Sequence, residues 1–254
     1  MKAIILIIIA IAIAGFIVYS KNIETTIMPS PTPFITGFFP TPANAKNRIE
    51  ITYNNQTYNI FYSPLNNNTI ELIPNFTQKI SSDDLISEHN CKAAINGGFY
   101  TTDNTPLGLF IANGKHYSSE VINDRNLLTG FFWVDNSKKP MITDQNPQNS
   151  DLVIQTGPIL YKGYPFSAEI DEYARRSVIA RNDNSNYYLL MVTLKDDIYS
   201  GPQLADLGEI IYSNDNPLKF MEAINMDGGS ASTFFDNGFH IQELSSIGSL
   251  LCIQ

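Results

Sequence analysis

The hydrophobic pattern changes character twice along the chain. Residues 3–19 are apolar without interruption, with Lys2 before them and Lys21 shortly after. A membrane-spanning helix needs about 17–25 such residues, whereas a cleavable signal has a shorter apolar stretch closed by small residues. Val18 and Tyr19 make a poor cleavage site, so residues 1–21 are expected to be an uncleaved signal anchor, with a cleaved signal peptide as the alternative. On either reading the remainder lies outside the cytoplasm, membrane-anchored or secreted. Residues 22–45 lose periodicity: Pro29, Pro31, Pro33, Pro40 and Pro42 punctuate a Thr/Ser-rich stretch that reads as a semi-rigid linker. From 46 to 254 short apolar runs recur, as expected of a single globular domain.

Within that domain, alternation between 48 and 62 about Asn54-Asn55 predicts a β-hairpin. Residues 81–89 predict a short helix, with a Ser cap and acidic residues in its first turn. Strand-like runs follow at 92–95, 107–111, 128–134, 152–154, 177–180, 187–194, 223–225 and 233–235, divided by Gly, Asn, Asp and Pro. One more helix is predicted at 202–213, where Leu204, Leu207, Ile210 and Ile211 form one stripe. Many strands, few helices and no strict β-α alternation predict an α+β fold with a mixed, largely antiparallel sheet.

Charge narrows the function. Only Lys2, Lys21 and Glu24 are charged before residue 46, so the domain carries about −10 against the chain's −9. Such a surface repels phosphate backbones, and nucleic acid is excluded as a partner. His89, His116 and His240 have no metal-ligand spacing and no serine-triad order, so neither metal nor cofactor is expected. Cys91 and Cys252 sit in apolar contexts and are expected to be buried free thiols, with one disulfide as the alternative outside the cytoplasm.

Polar groups concentrate at a few strand ends. Ala94-Ile95-Asn96-Gly97-Gly98 and Ala223-Ile224-Asn225-Met226-Asp227-Gly228-Gly229 both run from an apolar strand to Asn and then paired glycines. Glycine lets backbone amides approach a ligand closely, and Ser230 adds a hydroxyl; a tight turn capped by Asp227 is the plainer alternative. Three of the five arginines are Arg175, Arg176 and Arg181. On a strand Arg176 shares the face of Val178 and Ala180, so its fork is drawn inward toward an anion or a structural carboxylate. Gln155-Thr156-Gly157-Pro158-Ile159-Leu160 forms a third polar knot.

Taken together and in order, these segments resemble the phosphodiester glycosidase domain family, which includes the lysosomal mannose-6-phosphate uncovering enzyme and bacterial relatives. The similar stretches are Asn96-Gly97-Gly98-Phe99-Tyr100 with Pro106-Leu107-Gly108, then Gln155 to Leu160, then Arg176-Ser177-Val178-Ile179-Ala180. Gly201 to Leu207 and Asn225 to Ser230 complete the set. Ser177 and Ala180 depart from the family's Thr and Gly, and the order Ser230-Ala231-Ser232 leaves its serine position open.

The resemblance implies an extracytoplasmic hydrolase that cleaves the glycosidic bond of a sugar-1-phosphodiester in a glycan or envelope polymer. Its catalytic residues would be Asp227, Arg176 and Asn96. Asn225, Thr156, Ser177, Gly97, Gly98, Gly228, Gly229 and Ser230 would bind substrate. Partners would be phosphorylated glycan and, through the N-terminal helix, a membrane. The alternative is a non-catalytic envelope module that binds anionic or phosphorylated glycan. The geometric expectation is that the Asn96 and Asn225 strand ends lie side by side, with Arg176 between them and Thr156 on the rim.

Overall fold

The computed structural model describes residues 45–65, 69–123, 126–162 and 171–254. The expected anchor at 1–21 and the linker up to residue 44 lie outside the described residues. No helix among the described residues is long and apolar enough to cross a membrane.

Alternating apolar positions build the first sheet, ordered β1 (Arg48–Tyr53), β2 (Gln56–Pro64), β12 (Tyr187–Leu194), β11 (Arg176–Asn182), β13 (Phe220–Asn225) and β10 (Ile159–Leu160). The β1–β2 hairpin turns at Asn54 and Asn55, both at positive φ (47° and 61°), as a two-residue turn between twisted strands requires. The central strands β11 and β12 of this sheet are buried on both faces. Val178, Ala180, Leu190 and Val192 pack under helix α2 (Leu204–Ile211), through Leu204, Leu207, Ile210 and Ile211. Their neighbours Ile179, Leu189, Met191 and Ile224 face the opposite way into the main core.

Two five-stranded sheets cover that second face. One runs β15 (Phe239–Ile241), β14 (Phe234–Asp236), β4 (Ala93–Asn96), β16 (Ser249–Ile253) and β3 (Ile70–Pro74). The other runs β6 (Lys115–Ser118), β5 (Phe110–Ala112), β9 (Leu152–Thr156), β7 (Gly130–Val134) and β8 (Pro140–Thr143). Phe61, Ile95, Phe132, Ile154, Ile179 and Phe234 knit the three sheets into one core. Helix α1 (Ser82–His89) lies on the second sheet through Leu85 and Ile86, and Ser81 caps it by accepting from the Asp84 N–H.

Among the described residues the fold is thus α+β, with antiparallel sheets and two α-helices. Two details differ from expectation. Among the described residues the strands form three sheets rather than one, and every ladder is antiparallel. The cysteines are not free thiols: Cys91 and Cys252 form a disulfide with Cα atoms 5.4 Å apart. Both were rightly expected to be buried, but α1 delivers Cys91 directly onto β16, and that adjacency is invisible in the sequence.

Candidate functional site

Each sheet delivers one strand end to the same place. β4 ends at Asn96, β13 at Asn225 and β9 at Thr156, while β11 begins there with Arg176 and Ser177. Beyond β13 the chain continues alongside β11: Met226 N–H donates to the Ser177 carbonyl at 2.8 Å and Gly229 N–H to the Arg175 carbonyl at 3.0 Å. Asp227 and Gly228 therefore occupy the point where the sheets converge.

Asn96 is the hub of this junction. Its Nδ2 donates to the Asp227 carbonyl at 2.8 Å, and its Oδ1 accepts from Ser177 Oγ at 2.6 Å and from Thr233 N–H at 3.1 Å. The Asp227 N–H in turn donates to the Gly97 carbonyl at 3.2 Å. A buried amide with every polar atom engaged is a rigid spacer, so Asn96 fixes the position of the Asp227 backbone. Gly97 and Gly98 permit the close approach. A Cβ on Gly97 would stand 2.0 Å from Ser249 Oγ, and one on Gly98 would stand 2.6 Å from Ile154. Their service is therefore packing as much as amide exposure.

Among the described residues Asp227 is the one carboxyl whose acidity is strongly altered. Burial pushes it from its ordinary 3.8 up to about 7, and the Gly228 N–H, donating to Oδ1 at 2.8 Å, holds it back only in part. Burial disfavours the ionised form, so this group exchanges a proton near neutrality. Tyr100 stands close by. Its phenol is raised first by burial and then by the Asp227 charge, and its hydroxyl donates to the Ser246 carbonyl.

Arg176 is neither in bulk solvent nor between the asparagines. It leaves β11 on the α2 side, with its side chain 12% exposed. Nε donates to the Pro202 carbonyl at 3.1 Å, and Nη2 donates to the Glu172 carbonyl at 2.6 Å and Asp171 Oδ1 at 3.3 Å. Nη1 is turned toward Gly228, 3.5 Å from where a Cβ would be. Burial works against the guanidinium charge, while Asp171 and Glu172 support it. The side chain of β11 that meets Asn96 is Ser177.

The remaining predicted residues divide into buried supports and one exposed group. Thr156 is wholly buried, not on a rim, and donates to the Asn225 carbonyl at 2.9 Å. Asn225 is 1% exposed and spends its Nδ2 on the Gly157 and Met226 carbonyls. Gly229 has φ +64°, a left-handed turn that glycine takes without strain. Ser230 is exposed and accepts from Ser245 Oγ at 2.9 Å.

A family model of the phosphodiester glycosidases matches residues 89–251, which span all of these positions. The chain belongs to the phosphodiester glycosidase family. Membership places it among hydrolases of phosphodiester-linked sugars. Several solved structures share the fold, among them these three. The zebrafish N-acetylglucosamine-1-phosphodiester α-N-acetylglucosaminidase catalytic domain, auto-inhibited by its pro-peptide, is 17% identical with a TM-score of 0.57, over 82% of this chain and 81% of that one. A hypothetical protein from Synechocystis is 11% identical with a TM-score of 0.57, over 81% and 61%. A putative exported protein from Burkholderia pseudomallei is 10% identical with a TM-score of 0.50, over 78% and 74%. No curated protein sequence matches the chain.

Two residues were not singled out from sequence. Arg175 is fully buried; its Nε donates to the Gly229 carbonyl at 3.0 Å, which braces the glycine turn. Asp171 accepts from the Leu204 and Ala205 N–H groups at 2.7 and 2.8 Å as well as from Arg176. It thereby caps α2, whose own N-cap residue Gln203 makes no capping bond and instead donates Nε2 to the Asp171 carbonyl at 2.7 Å. Arg175 was visible as part of an arginine pair, but nothing in the sequence told an inward brace from a ligand clamp. Asp171 carried no signal, because the helix N–H groups it caps lie more than thirty residues away. Among the described residues, no three His, Cys, Asp or Glu side chains gather as a metal site would need.

Proposed function

We propose that this chain hydrolyses the glycosidic bond of a sugar-1-phosphodiester in an extracytoplasmic glycan or envelope polymer. The observation that carries the proposal is the Asp227 carboxyl, raised to about 7 and held one residue from the Nη1 edge of Arg176. Water attacks the anomeric carbon, its proton passes to ionised Asp227, and the bond from C1 to the phosphate oxygen breaks with its electron pair on oxygen. The products are free sugar and a phosphomonoester. A phosphate ester is a good leaving group, so neutralising its charge matters more than protonating it. Arg176 supplies that charge through Nη1, while its other edges stay tied to Asp171, Glu172 and Pro202. Asn96 and Ser177 hold the Asp227 backbone, Thr156 and Asn225 support the turn from beneath, and Ser230 faces the solvent side, where the sugar or aglycone would lie.

The disulfide supports action outside the cytoplasm, since such bonds persist in oxidising compartments. It accords with a membrane anchor or secretion signal in residues 1–21. The test is release of reducing sugar from a panel of sugar-1-phosphodiesters by the purified domain, with Asp227→Asn as the control. Failure to cleave any diester, or full activity in the variant, overturns the proposal.

A further inference from the structure

A groove of about 790 Å³ opens between the β7–β8 turn and the β11–β12 turn. It lies at the opposite end of β11 from the site above: Arg176 and Arg181 are five residues apart on that strand, about 17 Å at a strand's rise per residue. Its floor is apolar, with Leu65 and Ile142 buried and Tyr187 partly so. Met141, 39% exposed, and Pro140 extend that surface to the rim. Lys138 and Lys139 form one wall, and Arg181, Ser185 and Asn186 the other.

The charges do not cancel. Glu222 is the acidic lining residue, and Arg181 Nε holds it at 2.9 Å. Asp135, at the foot of the β7–β8 turn, spends its carboxylate on the Ser137 and Lys139 backbone N–H groups, both at 2.8 Å. None of the ion pairs among the described residues includes Lys138 or Lys139, and both are exposed. A chain of net charge −9 thus places two ammonium groups that form no ion pair beside an aromatic and apolar floor. Tyrosine and aliphatic surface suit the apolar face of a sugar or polyol, Asn and Ser suit its hydroxyls, and lysines suit intervening phosphates. This alternation is the chemistry of a polymer whose repeats are joined by phosphate.

We propose that this groove is a second, non-catalytic subsite that grips another stretch of the anionic glycan polymer whose diester is presented to Asp227. The inference rests on the reaction proposed above and deepens it, giving the polymer a second point of attachment away from the reacting bond. The test uses the whole domain with Lys138→Glu and Lys139→Glu combined, two exposed turn positions outside the candidate active site. Calorimetry with a defined poly(glycerol phosphate) oligomer should show binding weakened roughly tenfold or more by the double variant, as expected for two rim cations reversed in sign. Binding should persist in Asp227→Asn. On a polymer whose repeats are joined through sugar-1-phosphodiesters the double variant should raise KM, while turnover of a short sugar-1-phosphodiester stays unchanged.

Equal oligomer binding by the wild-type chain and the double variant overturns the subsite. Binding to polymer-free anionic vesicles that the double variant abolishes overturns it as well, in favour of a lipid headgroup. Oligomer binding that the double variant loses, with no diester cleaved by any form, sustains the groove while refuting the reaction.

Discussion

Asp227→Asn separates the cost of the site from its use. In the folded chain this carboxyl is pushed up to about 7, against an ordinary 3.8. The folded state therefore keeps the proton to higher pH than the unfolded state does. Stability from this group is fully present below about 4, falls as pH rises toward 7, and stays low above it. About three units at 1.36 kcal/mol each set an upper bound of about 4 kcal/mol. Asp227 retains some exposure, so about 2 kcal/mol is the working figure after allowance for solvent screening. Asparagine keeps an acceptor for the Gly228 N–H and carries no charge. The variant should match the wild-type chain near pH 4 and exceed it by about 4–8 °C in melting temperature near pH 8.5. Its hydrolytic rate should meanwhile fall by about 10²–10⁴-fold. Melting curves across that pH range make the measurement. Parallel profiles for the two proteins, or a variant less stable at high pH, would refute the account of a carboxylate ionised against burial.

Three further outcomes follow from contacts around the turn. Gly228→Ala places a methyl 3.5 Å from Arg176 Nη1 without a backbone penalty, since Gly228 is extended; stability should change by less than about 1 kcal/mol while KM for a diester rises. Asp171→Ala uncaps α2 and frees Arg176, and should cost about 1–3 kcal/mol in denaturant melts together with a loss in kcat/KM. Replacing both Cys91 and Cys252 by Ala removes a cross-link spanning 161 residues, so roughly 2–5 kcal/mol of stability should be lost in urea titrations with diester KM unchanged.

Local pattern was legible wherever one residue's neighbours in sequence were also its neighbours in space. The β1–β2 hairpin, strand Tyr187–Leu194 and the Ser81-capped helix all carry their signals within a few residues. Ile70–Pro74 and Ser249–Ile253 were missed because neither alternates in burial, the second being buried throughout. The division into three sheets depends on which edges pair, and no periodicity encodes that. At the site, motif order drew attention to Asn96, Arg176 and Asp227, and the structure brings Asn96 and Asp227 into direct contact. What sequence could not separate was a polar residue facing a ligand from one facing backbone. Asn225, Thr156 and Arg175 all hold carbonyls, so type and spacing alone gave them the same appearance as a binding residue.

The glycine amides make the same distinction and lead to a kinetic consequence. Paired glycines at both strand ends were expected to offer free N–H groups to an anion. Instead Gly97 donates to the Ser249 carbonyl, Gly229 to the Arg175 carbonyl and Gly228 to the Asp227 carboxylate. Only the last of these has a partner that itself takes part in the proposed reaction. A phosphate seated against Arg176 Nη1 lies beside Gly228, brings negative charge near Asp227 and competes for the one N–H that favours its ionised form. Both effects raise the carboxyl further once substrate is bound. The pH dependence of kcat/KM reports the free enzyme and that of kcat the complex. Both should rise with pH as Asp227 ionises, with the midpoint near 7 for kcat/KM and displaced upward for kcat. Arg176→Lys, whose single ammonium lacks the fork held by Asp171, Glu172 and Pro202, should shrink that displacement. Coincident midpoints in the wild-type chain would show that the phosphate binds without touching this turn, and would detach Arg176 and Gly228 from the reaction.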